Sequence, residues 1–276
     1  MSQISVVIIT KNEAGNIVAC IESAKKLSND IIVVDSGSED ATVSLAQRAG
    51  AKVKAIVWNG YGHARNKGAK LASNEWIFSL DADERITDEL AHYIKDLDTG
   101  NTNCIYGFKR TNFFNDQQLK HGSLGHESVF RLYNKRFTQW NNEPVHEKLF
   151  FKKGAIIIKL KPALLHFGIR DLDYYEQKKM NYAYLCAIKY FRHGRKAPWF
   201  FRLVSPAFHF FQSFILRLGF LDGQAGYITA RINAAYTFKK YDHLCRMMRN
   251  ENKIEMPAHD MSTSSPHIFA DVIHAE

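Results

Sequence analysis

Asp81, Asp83 and Glu84 crowd three carboxylates into four positions directly after the apolar residues Trp76, Ile77, Phe78 and Leu80. Such close acids repel one another, so the motif asks for a cation. A hard divalent ion such as Mn²⁺ or Mg²⁺, held by one or two carboxylates and completed by substrate phosphates, meets that need. Taken alone, D-x-D reads more often as a solvated turn in which Asp81 or Asp83 caps the next helix. The elements that carry it decide between the two.

"ISVVIIT" at 4–10 is a continuous β-branched run of the kind buried in a parallel sheet, and the amphipathic stretch 17–27 follows polar "KNEAGN". The pattern repeats: a strand at 31–34, a turn, and a helix at 41–49 with Ser38 or Asp40 placed to cap it. "AKVKAIV" supplies a third strand, 62–72 a helix and "EWIFSLDADE" a fourth strand. Successive βα units predict an α/β fold, an open parallel sheet with helices on both faces. Ligands of such sheets bind outside the carboxyl ends of the strands. Thr10, Asn12 and Glu13, then Asp35, then Asp81 and Asp83 therefore converge on one edge, which turns the D-x-D toward the cation.

"VVIITKNEAGNI", "IIVVDSGSEDAT", "GHARNKGAKLASNEWIFSLDADE" and "EPVHEKL" together resemble glycosyltransferase family 2. That family consists of inverting nucleotide-sugar transferases with the GT-A fold, a Rossmann-like, mainly parallel sheet flanked by helices. The resemblance is strongest to its lipopolysaccharide-core glucosyltransferase branch. It covers residues 4–170, and "LGFLDGQAGYITARINAAYTFKKY" carries it to about 245.

By this resemblance Thr10, Asn12 and Glu13 line a uridine pocket, and Asp35 accepts hydrogen bonds from the uracil or ribose. Arg65, in "HARNKG", lies beside the nucleotide, where its guanidinium fork can hold a carbonyl or phosphate oxygen. Asp81 faces the ribose and Asp83 the metal, while Glu84 faces solvent or starts the following helix. His166, in "ALLHFG", approaches the diphosphate or metal, or else packs against backbone. Glu147 is the catalytic base, because inversion needs one carboxylate to take the acceptor hydroxyl's proton. His146 supports it or the phosphates. Arg131 matches a family position, Trp140 fills core or stacks on a sugar, and His121 and His126 are loop residues.

The implied enzyme is a metal-dependent hexosyltransferase that uses a UDP-sugar and Mn²⁺ or Mg²⁺. Its acceptor is a hydroxyl of a glycan or lipid-linked molecule, in lipopolysaccharide or other cell-surface polysaccharide synthesis. A nucleotide-sugar-binding scaffold at the membrane, without catalysis, is the alternative. A dinucleotide dehydrogenase is excluded because "TKNEAGN" lacks G-x-G-x-x-G.

The expected organisation is a GT-A catalytic domain at 1–170, divided into a nucleotide-sugar half (1–100) and an acceptor half (101–170). A helical extension follows at 171–250, then a disordered acidic tail at 251–276. The chain's formal charge is +9, and because 251–276 holds five acids against Lys253, residues 1–250 carry +13. Those basic residues are dispersed and no recognition module appears, so nucleic acid is not the partner. Residues 190–221 are basic and aromatic, yet broken by Arg202, Pro206, His209 and Arg217, a composition suited to lying on anionic headgroups rather than spanning. Packing on the catalytic domain, or on a second subunit to form a homodimer, competes with that reading. Four dispersed cysteines without CxxC suggest neither zinc nor disulfides, and Met1–Ile9 lacks signal-peptide features. The expected location is cytoplasmic, peripheral on the inner membrane's cytoplasmic face.

Overall fold

The computed structural model describes residues 3–141 and 147–251. The expected disordered tail lies outside the described residues apart from Glu251. Two compact units are present, residues 1–113 with 126–168 (unit 1) and 114–125 with 169 onward (unit 2).

Unit 1 is built on a twisted sheet. Its strands are β1 (Ile4–Thr10), β2 (Ile31–Asp35), β3 (Lys52–Ala55), β4 (Trp76–Asp81), β5 (Glu84–Ile86), β6 (Cys104–Phe114), β7 (Gln117–Gln118), β8 (Glu127–Asn134) and β9 (Ile156–Ile169); the last residue of β6, all of β7 and the last residue of β9 fall in unit 2. The strand order is β3-β2-β1-β4-β8-β6-β9-β5. β1 lies parallel to β2 and β4, and β3 to β2, whereas β8 runs antiparallel on β4 and β5 antiparallel on β9. The order reverses beside β1, and the ligands of such sheets bind at that switch point, beyond the carboxyl ends of the strands.

The β-branched run of β1 is buried throughout because both of its faces are covered. Ile4, Val6 and Ile8 join Ile31 and Val33 in one apolar cluster with Ile17, Cys20 and Ile21 of α1 (Ile17–Lys25). On the other face α3 (Tyr61–Leu71) approaches Val7 and Val34 so closely that a Cβ on Gly68 would lie 2.2 Å from Val7 Cγ1. Each fully buried Ile or Val here contributes about 1.5–3 kcal/mol.

The two edges of the parallel strands differ in purpose. At the amino edge, Asp30 accepts hydrogen bonds from Ser5 Oγ (2.5 Å), Lys52 Nζ (2.7 Å) and Ser73 N (2.9 Å). Burial acts to raise its pKa, but the bonds from Lys52, Ser5 and Ser73 outweigh that and bring it to about 2. Its stabilisation is therefore complete above the ordinary carboxylate range and is lost only as pH falls through about 2. This edge is knitted for stability, whereas the expected ligand-binding residues lie at the carboxyl edge.

Two further helices flank the sheet, α2 (Thr42–Arg48) and α4 (Asp88–Lys95). Asp40 Oδ1 accepts from Thr42 N at 2.9 Å where α2 begins. The cap of α4 is Thr87, whose Oγ1 accepts from Leu90 N at 3.0 Å, so neither Asp81 nor Asp83 is used as a helix cap.

Unit 2 is mainly helical, with α5 (Leu172–Arg192), α6 (Phe201–Phe211) and α7 (Gly223–Glu251). Tyr236 of α7 reaches α5, its hydroxyl 3.0 Å from Cys186 Sγ. The loop at 120–123 is held by Asp222, whose carboxylate accepts from His121 N (2.8 Å) and faces His121 Nδ1 (2.9 Å), so His121 serves the fold of that loop. A Cβ on Gly226 would lie 1.9 Å from Gly219 O and one on Gly219 2.6 Å from Ser213 O, which accounts for two glycines of "LGFLDGQAG". α6 runs through Pro206 into a π-helical turn at Gln212–Leu216, and none of its own residues is buried. No described helix is long and apolar enough to cross a membrane. All four cysteines are buried, and none is in a disulfide.

Candidate active site

Thr10 and Asp35 end neighbouring strands as register partners. Thr10 Oγ1 and the adjacent Ser36 Oγ are buried with no hydrogen-bond partner among the described residues. Buried hydroxyls left open at strand ends are groups a ligand can satisfy. Asp35 shapes the turn after β2: its Oδ2 accepts from Gly37 N and Ser38 N, each at 2.9 Å, and its Oδ1 from Ser38 Oγ. These bonds leave part of a carboxylate's acceptor capacity, about four lone-pair sites, for a ligand donor.

The loops after β1 and β2 are laced together. Asn12 takes a left-handed backbone (φ 52°), which asparagine tolerates better than most residues. Its N–H donates to Ser38 Oγ (2.9 Å) and its Oδ1 accepts from Glu39 N (2.8 Å). Glu13 N donates to Thr42 Oγ1 (2.7 Å), and the Glu13 carboxylate accepts from Asn16 Nδ2 (2.7 Å).

Arg65 is 1% exposed and engaged entirely with protein groups in the contacts described. Nη2 donates to Asp81 Oδ1 (2.7 Å), Nη1 to Ser79 Oγ (2.7 Å) and Nε to Glu147 Oε1 (3.3 Å). The guanidinium lies 4.8 Å from the centroid of the Trp140 ring, a cation–π contact. Trp140 is itself buried, with Nε1 donating to Tyr133 Oη (3.1 Å), so it belongs to the core. One side chain from α3 thus ties the end of β4 to Glu147. His146 lies outside the described residues.

The other Asp81 oxygen, Oδ2, accepts from Arg131 Nη2 at 2.5 Å, and the same nitrogen lies 2.7 Å from Glu84 Oε1. Burial pushes the Asp81 pKa upward, but Arg131 and Arg65 more than reverse it, so Asp81 is held below its ordinary range. Glu84 behaves oppositely: burial dominates and raises it despite Arg131 and Arg110. The expectation that Glu84 faces solvent or starts a helix is corrected, since it lies on β5 with no exposure and its Oε2 accepts from Asp81 N at 3.0 Å. A three-residue strand gives too little periodicity to be seen in sequence.

Asp83 and His166 meet on the far side of this network, His166 Nε2 lying 3.4 Å from Asp83 Oδ2. The β5–β9 pairing puts Glu84 opposite His166, and Phe167 N donates to Asp83 O (2.9 Å). Gly168 lets the His166 ring pack directly on the backbone, because a Cβ there would lie 2.7 Å from His166 Nε2. Among the described residues no group of three or more His, Cys, Asp or Glu side chains converges as a metal cage. A carboxylate and an imidazole side by side do fit a divalent ion whose remaining ligands would be waters and substrate phosphates.

Sequence reasoning missed Arg110 and Asn112, which meet Glu127 behind His166. Arg110 Nη2 donates to Glu127 Oε2 (2.7 Å), as does Asn112 Nδ2 (2.8 Å).

Residues 5–158 match the family described as Glycosyl transferase family 2. Over 257 residues the chain is 29% identical to an uncharacterized glycosyltransferase of Rickettsia felis, with 90% of each chain covered. It is 26% identical over 253 residues to the lipopolysaccharide core biosynthesis glycosyltransferase LpsC of Rhizobium meliloti, covering 85% of this chain and 89% of that one. Among solved structures, glucosyl-3-phosphoglycerate synthase from Mycobacterium tuberculosis in complex with phosphoglyceric acid is similar at 20% identity and a TM-score of 0.44, over 62% of this chain and 74% of that one. Because the family match runs through the strands that carry Thr10, Asp35, Asp81 and Asp83, and through more than half of the chain, the protein belongs to glycosyltransferase family 2 and has its GT-A fold.

Proposed function

We propose that the protein is a metal-dependent, inverting hexosyltransferase that moves a sugar from a UDP-sugar to a hydroxyl of a glycan or lipid-linked acceptor. The observation that carries this reading is Arg65, whose guanidinium bonds both Asp81 and Glu147 and so brings an acceptor-side carboxylate next to the donor-side motif. The similarity to a lipopolysaccharide core glycosyltransferase supports a role in lipopolysaccharide or other cell-surface polysaccharide synthesis.

In this mechanism Thr10, Asn12, Glu13 and Asp35 receive the nucleoside, with the open Thr10 hydroxyl available to it. Asp83 and His166 would hold Mn²⁺ or Mg²⁺, which when bound would supply positive charge against the departing diphosphate. Arg65 and Arg131 keep Asp81 ionised and fixed at the strand end. Glu147 takes the acceptor hydroxyl's proton while that oxygen bonds to the anomeric carbon from the face opposite the leaving UDP. The sugar–phosphate bond breaks as the new glycosidic bond forms, and inversion follows from this single displacement.

Asp83→Ala tests the metal and donor assignments together. In the native protein, UDP with Mn²⁺ is expected to raise the melting temperature above the value with either alone, through linkage to the folded state. The variant is expected to lose that joint effect and transfer activity. Full transfer in excess chelator sinks metal dependence, and stronger stabilisation by GDP or CMP sinks the uridine assignment.

We further propose that unit 2 rests peripherally on an anionic membrane surface. Residues 190–221 contain no Asp or Glu but include Arg192, Arg195, Lys196, Arg202 and Arg217. In the same stretch Trp199, Leu203, Val204, Phe208, Leu216 and Leu221 are each more than half exposed. Deleting 195–276 would remove the buried Ile232 and Leu244 of α7, so point substitution is the cleaner test. Changing Trp199, Phe208 and Leu216 together to serine is expected to weaken binding to phosphatidylglycerol vesicles by about 10-fold or more. Unchanged vesicle binding, or a native dimer that dissociates in the variant, assigns this face to a second copy instead.

A further inference from the structure

We infer that Asn112 is a positioning residue that fixes which nitrogen of His166 is turned toward Asp83. The inference rests on the proposed Asp83–His166 metal seat for its function, but the geometry behind it is independent of any metal.

Glu127 Oε2 accepts three hydrogen bonds, from Arg110 Nε (3.0 Å), Arg110 Nη2 (2.7 Å) and Asn112 Nδ2 (2.8 Å). Burial acts to raise the Glu127 pKa, but the Arg110 guanidinium and the bonds from Arg110 and Asn112 outweigh it and hold the carboxyl below its ordinary range. An ionised carboxylate can only accept, so the Asn112 amide must turn its NH₂ toward Glu127. Its oxygen is thereby aimed at His166, with Oδ1 2.6 Å from Nδ1. An amide oxygen also only accepts, and the proton of the neutral imidazole therefore sits on Nδ1.

The consequence lies on the other side of the ring. His166 Nε2 then offers a lone pair, and it faces Asp83 Oδ2 at 3.4 Å. In the neutral ring that lone pair and the Asp83 carboxylate can serve one divalent cation as two of its ligands. Fixing the tautomer through the second ring nitrogen is a general way to raise the affinity of a histidine for metal. Here the fixing runs through Arg110, Glu127 and Asn112 in series. Asn112 is 2% exposed, so water does not offer a ready substitute for its oxygen.

The test reads the tautomer directly. In metal-free protein labelled with ¹⁵N-histidine, at mildly alkaline pH, the native His166 is expected to be protonated on Nδ1 alone. Asn112→Ala is expected to give a mixture of tautomers and to weaken Mn²⁺ binding, measured calorimetrically in the presence of UDP, by about 10- to 100-fold. UDP binding without metal should be unchanged. A native His166 protonated on Nε2 overturns the inference even if the variant fails to fold, and so does an Asn112→Ala protein with native tautomer and native Mn²⁺ affinity. If the native protein shows the Nδ1 tautomer and the variant loses it, the positioning role stands; absence of Mn²⁺ binding by that native protein would overturn the metal seat and not the role of Asn112 on the ring.

Discussion

Glu147→Gln is expected to lower turnover by about 10²-fold or more, the usual scale for loss of a general base. The amide keeps an oxygen that Arg65 Nε can reach, so the contact that ties this residue to the Asp81 side survives the change. What is lost is the ability to take a proton. UDP-sugar affinity should barely move, because the missing interaction is made only as the acceptor oxygen attacks. Steady-state kinetics alongside calorimetric donor binding separate the outcomes. A variant that loses donor affinity but keeps turnover at saturation makes Glu147 a donor ligand, and the base would have to be another acid. Glu127 is a poor substitute, being already committed to Arg110 and Asn112, and Glu143 lies outside the described residues.

The second large effect is on stability. Arg131→Met removes the guanidinium that bridges Asp81 Oδ2 and Glu84 Oε1, leaving a fully buried Glu84 with Arg110 Nη1 at 3.7 Å. Breaking a buried pair from one side typically costs about 3–5 kcal/mol, because the partner charge stays desolvated. Urea unfolding should show a loss of that order, and adding Glu84→Gln should recover part of it, since the residual carboxylate is then gone. A loss below about 1 kcal/mol would mean that Glu84 is already protonated in the native fold.

The parallel half of the sheet was legible because its signal is local. A strand such as Ile4–Thr10, buried on both faces, is β-branched from end to end, and polar residues mark its carboxyl end. Asp35, Asp81 and Asp83 could be gathered on one edge from that alone. Partners that come from distant strands were not legible. Arg131 reaches Glu84 across 47 positions and Asn112 reaches His166 across 54, so their meeting depends on the antiparallel registers of β8, β6 and β9. Register is a property of pairing and leaves no mark in either segment by itself. Arg65 illustrates the same limit. Its motif was visible, but its contacts with Asp81, Ser79 and Glu147 arise only once α3 lies on the sheet.

The bridge made by Arg131 also bears on how the chain reaches its native state. Asp81 and Glu84 arise within the first hundred residues, and Arg65 of the same stretch meets Asp81, yet the guanidinium that bridges both acids arrives on β8, which pairs with β4. Until that strand docks, closing the core around β4 and β5 would strip water from two acids that have no counter-charge from Arg131 or Arg110. The first four strands are therefore discouraged from completing their core early, and the segment that includes β8 acts as a late-arriving electrostatic latch. Collapse around β4 and β5 is therefore expected to wait for β8, so that the parallel and antiparallel parts of this sheet form together.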